Sequence, residues 1–327
     1  MKKSLITRMG LAAEGWPRSL IDAATEQGLH RVTHGTYSHS GDDRAVIDCL
    51  LQRAGHGAVL SHRLAAHLHG LDLFEEPQTV DLTVPYGATF HPVQSAGKWP
   101  EFCVHRSRTL SVDDCELYEG KWPITTKART VLDLARGLSA DRLEVVVESA
   151  LRSLDRFDPS VWDTACLARL TELPDMHPRA AGSLRLVLRR RPPGCRPTGS
   201  PRETLLVQAA RSKGHGDLQR QVRLTVNDLR SRSVLTVYPD LGEFDRLGIA
   251  FEYDGEQYHR DRRAAERKRD NLIGRVVQVV RFDATTSMQH NAAVIDDTIR
   301  AASGRRWPDP SWLVSRSDHD VSITIPK

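Results

Sequence analysis

Residues Ile249 to Asp254, IAFEYD, tie one strand to two different environments. At a period of two, Ile249, Phe251 and Tyr253 face one side and Ala250, Glu252 and Asp254 the other. A strand buried on both sides would carry apolar groups on both, because an ionised carboxylate loses several kcal/mol of solvation unless it is paired or bound to a cation. Just upstream, Tyr238 to Leu241 is a second short run, and the charged loop Gly242 to Gly248 lets it double back and bring Asp240 towards Glu252. Converging carboxylates suit a hard divalent ion such as Mg²⁺. The alternative is an edge hairpin carrying ordinary surface acids.

The surroundings favour the first reading. A helix is expected from about Pro201 to Lys213, with Ser200 as N-cap, Pro201 at the first position, Glu203 in the first turn and Gly214 at the stop. Three strands follow, at about Leu218 to Val226, Val234 to Leu241 and Ile249 to Asp254. The run RDRRAAERKRDNLIG then reads as a basic helix, Val276 to Phe282 as a buried-type strand, and Asn291 to Ala302 as a last helix. This order, αβββαβα, predicts an α/β layer sandwich with the acids along its sheet.

That order, Glu203 in the first helix, the Pro239–Asp240 pair and the EYDG…YH run from Glu252 to His259 resemble the PD-(D/E)xK nuclease superfamily, a restriction-endonuclease-like fold. Within it they look most like bacterial domains related to very-short-patch repair endonucleases, over about Ser200 to Ser303. The resemblance implies metal-dependent hydrolysis of DNA phosphodiesters, with Asp240 and Glu252 as ligands of Mg²⁺ or Mn²⁺ and Glu203 holding water at that ion. The chain departs from the pattern at Asp254, which stands where the superfamily usually has lysine. Very-short-patch enzymes also lack that lysine and have a histidine where His259 stands. The resemblance therefore gives His259 the role of general acid or organiser of metal-bound water, and leaves Asp254 to ligate a second ion or accept a proton.

The N-terminal part has a different character. Residues 4–29 read as two helices broken at Gly15 to Pro17, and LHRVTHGTYS reads as a short hairpin, the parts of a winged helix-turn-helix. TRMGLAAEGWPRSLIDAATEQG, RVTHGTYS, AVLSHRLAAHLHGL, VDLTVP, VHRSRTL and ITTKARTVLDLAR together resemble the antitoxin-like regulators of the AbiEi family, over about Leu5 to Leu151. That resemblance implies a winged helix joined to a small α+β domain that supports binding to operator DNA. His62, His67 and His69 lie in a helical run without the i, i+4 pair and partners a zinc site needs, so packing and surface roles are expected. Arg129, Thr130 and Asp133 read as the cap and rim of a helix.

With 327 residues the chain has room for two or three domains. The expected division is a winged helix over 1–42, an α+β domain over 43–155, a helical segment and Pro/Gly-rich linker over 156–199, the nuclease-like domain over 200–305 and a tail over 306–327. The formal charge of +4 identifies no partner, but its distribution does more. From Met176 to Thr236 twelve arginines and one lysine stand against three acids, a net +10, and Arg260 to Phe282 carries a net +5. Cations that hold a strand beside carboxylates that hold a metal suit nucleic acid, and Arg18, Arg31, Arg202, Arg220, Arg260, Arg263, Arg267 and Lys268 are the expected contacts. The five cysteines show no CxxC spacing and suggest neither a disulfide framework nor a zinc site. No apolar leader or membrane-length stretch is evident, so a cytoplasmic location is expected. The oligomeric state stays open, a homodimer among the options. Two functions are carried forward: a DNA endonuclease acting in defence or repair, and a transcriptional or type IV antitoxin regulator whose C-terminal fold grips DNA without cutting it.

Overall fold

The computed structural model describes residues 5–7, 30–33, 36–38, 43–75, 77–88, 101–152, 168, 172, 177–192, 194–254, 269–317 and 320–326. The protein is α+β, with open sheets that are mostly mixed. It divides into two compact units, Met1–Gly137 with Leu173–Ala180, and Leu138–Glu172 with Ala181–Lys327.

In the first unit β1 (Leu5–Thr7), β2 (His30–Thr33) and β3 (Thr36–Ser38) form an antiparallel sheet in the order β1-β3-β2. β2 and β3 are the hairpin read from the sequence. Leu5–Thr7, read as the start of the first helix, are instead strand β1 paired with β3, and the rest of the two expected helices falls outside the described residues. Next come α1 (Asp43–Ala54), β4 (Val59–Leu60), α2 (His62–Leu68), β5 (Thr79–Pro85) and β6 (Glu101–Ser107). A 3₁₀ turn at Val112–Asp114, β7 (Cys115–Tyr118), β8 (Trp122–Thr125) and α3 (Lys127–Ala135) complete the unit's elements. The second sheet runs β6-β5-β4-β8-β7, with β5/β6 and β4/β8 parallel. Its apolar face, Leu60, Leu82, Val84 and Ile124, is wholly buried with Ile47 and Leu50 of α1 and Leu64 of α2. Each such side chain contributes roughly 1.5–3 kcal/mol.

The second unit contains α4 (Ala140–Arg152), α5 (Pro178–Arg189) in its greater part, and α6 (Pro201–Ser212). Then follow β9 (Gln219–Arg220), β10 (Arg223–Asp228), β11 (Ser233–Val237), β12 (Leu241–Glu243) and β13 (Ile249–Tyr253). After these come β14 (Gln278–Phe282), α7 (Met288–Ala302), β15 (Leu313–Arg316) and β16 (Asp320–Ile325). Two four-stranded sheets result, β14-β13-β12-β9 and β11-β10-β16-β15.

Four expectations need correcting here. The single strand read at Leu218 to Val226 breaks at Gln221, whose φ of 50° turns the chain from β9 in one sheet to β10 in the other. The strand read at Val234 to Leu241 is divided in the same way between β11 and β12, so the order after α6 is not one three-stranded run. The tail read at 306–327 holds β15 and β16, and β16 pairs in parallel with β10 from Arg223↔Asp320 to Asp228↔Ile325. The end of the segment read as helix and Pro/Gly-rich linker over 156–199 runs inside the second unit, where Thr198 is fully buried and donates its N–H to Glu148.

The IAFEYD alternation is realised. Ile249 and Phe251 of β13 pack with Leu206 and Val207 of α6 and Ile295 of α7, while Ala250 joins a separate core with Leu224, Val277 and Ile323. The hairpin to β12 turns at Gly248, whose φ of +60° favours glycine and whose hydrogen faces the Trp307 indole. Of the basic helix read at 260–274, residues 269–273 are described and are helical.

Candidate functional site

Ser200 and Pro201 start α6 as the sequence demands: the Ser200 hydroxyl accepts from Glu203 N–H at 3.2 Å. The Glu203 carboxylate turns back and accepts from Gly199 N–H and, at 2.8 Å, from Gln221 Nε2. A Cβ at Gly199 would stand 2.9 Å from Glu203 Oε1, so glycine leaves the room this carboxylate occupies.

Asp240 immediately precedes β12. Leu241 pairs with Phe251, so the antiparallel register carried one step further sets Asp240 across from Glu252. Its Oδ2 accepts from Tyr253 N–H at 2.7 Å and its Oδ1 from the same Gln221 Nε2 at 3.2 Å. Burial first, then the charge of Glu203, push the Asp240 carboxyl up to about 8; Glu252 adds to this, against the lowering effect of Tyr253 N–H and Gln221. Burial also raises Glu203, opposed by Gly199, Ser200, Gln221 and the charge of Arg152. Near neutral pH this corner holds a proton or calls for a cation.

Glu252 is differently placed. It is 7% exposed, and its two oxygens meet Arg269 at 2.8 Å and Arg281 at 3.2 Å. Arg281 stands opposite it on β14 and also pairs with Asp270. Burial alone would lower the Arg281 guanidinium, but the bond to Asp270 and the charges of Glu252, Asp270 and Asp254 hold it above its ordinary value. Asp254 continues the β13–β14 ladder, its N–H donating to Phe282 at 2.7 Å.

The donor set fits a hard cation in chemistry, since every candidate ligand atom is a carboxylate oxygen. Mg²⁺ is commonly held by one or two carboxylates with water, so Asp240 and Glu203 suffice, with Glu252 entering only by leaving an arginine. These three do not bring ligand atoms within 4.8 Å of one another as a trio.

The other expected residues are distributed as follows. Arg202 is exposed on the first turn of α6. Arg220 is 2% exposed and meets Glu148 of α4 at 3.1 Å, so its charge points inward and away from any surface strand. Arg191 reaches the same Glu148 at 3.4 Å, Arg190 pairs with Asp141 and Arg211 with Glu144, so much of the +10 segment neutralises α4. Arg31 lies on β2, paired with Tyr37. His259, Arg18, Arg260, Arg263, Arg267 and Lys268 fall outside the described residues.

In the first unit His62 begins α2 and its ring lies flat on His105, centroids 3.4 Å apart. Burial, then the charges of His105, Arg129 and Arg136, push His62 down to about 3. His69 is the C-cap of α2 and contacts the Thr125 carbonyl through Nε2 at 2.6 Å. Arg129 pairs with Asp133 at 2.8 Å along α3, and Thr130 is buried against the Thr125 hydroxyl at 2.8 Å. Reading the sequence missed Gln221, Arg269 and Arg281, and also the neighbours Asp81, Cys103 and His105. A signal for the last three was present, since Asp81 and His105 interrupt apolar strands.

No family model matches the chain, and no curated protein does. Among solved structures, the RV2827C protein from Mycobacterium tuberculosis aligns at 14% identity with a TM-score of 0.40, over 62% of this chain and 75% of that one. At that level the likeness carries no argument.

Proposed function

We propose that the chain is a metal-dependent endonuclease-like protein that hydrolyses DNA phosphodiester bonds in its second unit, with an antitoxin-like winged-helix DNA-binding N-terminal half. The observation that carries this reading is the pair Glu203 and Asp240, both half-buried and both accepting from one shared donor, Gln221, with Asp240 pushed up to about 8. Glu252, by contrast, is held by two arginines, and no such ion pair is recorded for Glu203 or Asp240 among the described residues.

In this reading Asp240 and Glu203 hold Mg²⁺ or Mn²⁺ beside Glu252. The ion, when bound, polarises the scissile phosphate and lowers the pKa of the attacking water. Tyr253 N–H and Gln221 fix the Asp240 carboxylate, and exposed Arg202 offers charge to the phosphate backbone. His259 supplies or organises the proton that the leaving oxygen needs. The restriction-endonuclease-like core is then α6 with the β14-β13-β12-β9 sheet. The setting is defence or repair in the cytoplasm, and a homodimer is one assembly that would present two such sites to a duplex.

A second reading has its own support. Glu252 is held by two arginines, and Asp254 stands where a lysine is expected. Both suit a non-catalytic DNA-binding transcriptional regulator or type IV antitoxin. Incubation with supercoiled and single-stranded DNA in Mg²⁺ or Mn²⁺, beside Asp240→Ala and Glu252→Ala, separates them. Cleavage by the parent alone supports the nuclease; salt-sensitive binding without cleavage under either ion supports the regulator.

A further inference from the structure

β5 and β6 run parallel, with Asp81 opposite Cys103 and Thr83 opposite His105. Val80, Leu82 and Val84 of β5 and Val104 of β6 enter the core, so Asp81, Cys103 and His105 share the other face of the sheet. Asp81 is 5% exposed there. One of its oxygens meets His105 Nε2 at 2.9 Å, and the other is buried with no hydrogen-bond partner. An orphaned carboxylate oxygen in such a place is costly, and a cation or a proton relieves it.

Cys103 supplies what a simple Asp–His pair lacks. Ligand atoms from Asp81, Cys103 and His105 all lie within 4.8 Å of one another, and no other trio of His, Cys, Asp or Glu among the described residues does so. Zn²⁺ at its usual bond lengths of about 2.0–2.3 Å sets tetrahedral ligands roughly 3.3–3.8 Å apart, within a small side-chain adjustment of this span. Sulfur, nitrogen and oxygen donors together select a borderline ion over Mg²⁺. The His62 ring, stacked on His105 at an interplanar angle of 12°, fixes the plane of that imidazole. Cys103 is solvent-accessible, so one side of the trio stays open.

We propose that Asp81, Cys103 and His105 form a zinc-class metal site in the first unit, three protein ligands with a fourth position open to water, separate from the carboxylate cluster of the second unit. As the ion binds, the thiol S–H breaks, its proton passes to buffer and the S–metal bond forms, while His105 binds through the Nε2 lone pair as the neutral imidazole with its proton on Nδ1, any second proton passing to buffer.

The test uses the full chain, with Co²⁺ as the spectroscopic probe and Zn²⁺ as its competitor, in the absence of Mg²⁺ and DNA. The expected result is one Co²⁺ per chain, a thiolate-to-cobalt charge-transfer band with the visible bands of a four-coordinate ion, and displacement by Zn²⁺. Cys103→Ser removes the charge-transfer band, and Asp81→Asn keeps it while weakening Zn²⁺ by more than about tenfold, the least that even an outer-shell partner is commonly worth. Cys103 is at the surface, so its serine variant retains the parent's circular dichroism and reports binding alone. A parent without the band, or a band that persists in Cys103→Ser, overturns the proposal.

Discussion

Glu203 and Asp240 accept from a single amide nitrogen, Gln221 Nε2, at 2.8 and 3.2 Å. One donor thus serves two half-buried acids that come from a helix start and a strand start. A hydrogen bond to the ionised form lowers a carboxyl's pKa, and removing it raises that pKa. Gln221→Leu is therefore expected to move the pH midpoint of Mg²⁺ binding upward by about one pH unit, the worth of one bond to a charged group. Isothermal titration across a pH series measures it, and an unmoved midpoint would show that Gln221 merely bridges two protonated acids.

The direction of pH dependence follows from Asp240. Its folded pKa, about 8, exceeds the ordinary carboxyl value of 3.8, so its contribution favours folding while it is protonated and fades as pH rises through about 8. A cation competes with that proton. Millimolar Mg²⁺ is expected to raise the melting temperature clearly at pH 8 and hardly at pH 5, and Asp240→Ala is expected to abolish the difference. A thermal shift that is equal at the two pH values would place the ion elsewhere.

What could be read in advance was local. Ser200, Pro201 and Glu203 fix the start of α6 within one turn, and the IAFEYD alternation with a glycine turn fixes the β12–β13 hairpin, because each signal lies within a few residues of what it determines. What escaped was set by distant partners. β10 leaves the first sheet because β16 is there to pair with it, and nothing near Arg223 announces Asp320. Arg220 looked like a surface cation because the acid that buries it, Glu148, lies 72 positions away. Asp81 and His105 are 24 positions apart on neighbouring strands, so cysteine spacing alone gave no hint of Cys103 beside them.

Glu148 is wholly buried between Arg191 and Arg220 and also takes the Thr198 N–H. Two buried nitrogens of each arginine make no hydrogen bond, so Glu148 is what keeps two cations tolerable inside the unit. Glu148→Leu leaves them uncompensated and is expected to cost about 3–5 kcal/mol. Urea unfolding followed by tryptophan fluorescence gives the value; a loss under about 1 kcal/mol would mean that water reaches the guanidinium groups.

Gly248 turns β12 into β13 at a φ of +60°, against the Trp307 indole, whose Nε1–H donates to the Val276 carbonyl at 2.6 Å. Alanine there combines left-handed backbone strain of about 1–2 kcal/mol with displacement of a buried ring. Gly248→Ala is expected to destabilise the second unit by about 2 kcal/mol and, if the proposed nuclease reading holds, to lower DNA cleavage with it, because the turn sets the register that brings Asp240 opposite Glu252. If stability falls while the cleavage rate of the remaining folded protein is unchanged, the turn supports the fold alone.

Arg269 and Arg281 decide what Glu252 can do. Held by both, it is a neutralised strand residue; freed from them, it is a third carboxylate beside Asp240, whose pKa its charge already raises. Arg281 is also engaged by Asp270, so truncating it removes a cation from two acids at once, while among the described residues Arg269→Ala removes only the bond at 2.8 Å to Glu252. If Glu252 is a metal ligand held in reserve, Arg269→Ala is expected to tighten Mg²⁺ several-fold, since one competing cation is gone, and Arg281→Ala to tighten it further. If Glu252 serves only to anchor β13 to β14, both variants lower stability and leave Mg²⁺ affinity where it was. Titration of Mg²⁺ beside urea unfolding of the same two proteins separates affinity from stability, and a gain in affinity without cleavage of DNA would favour the regulator over the nuclease.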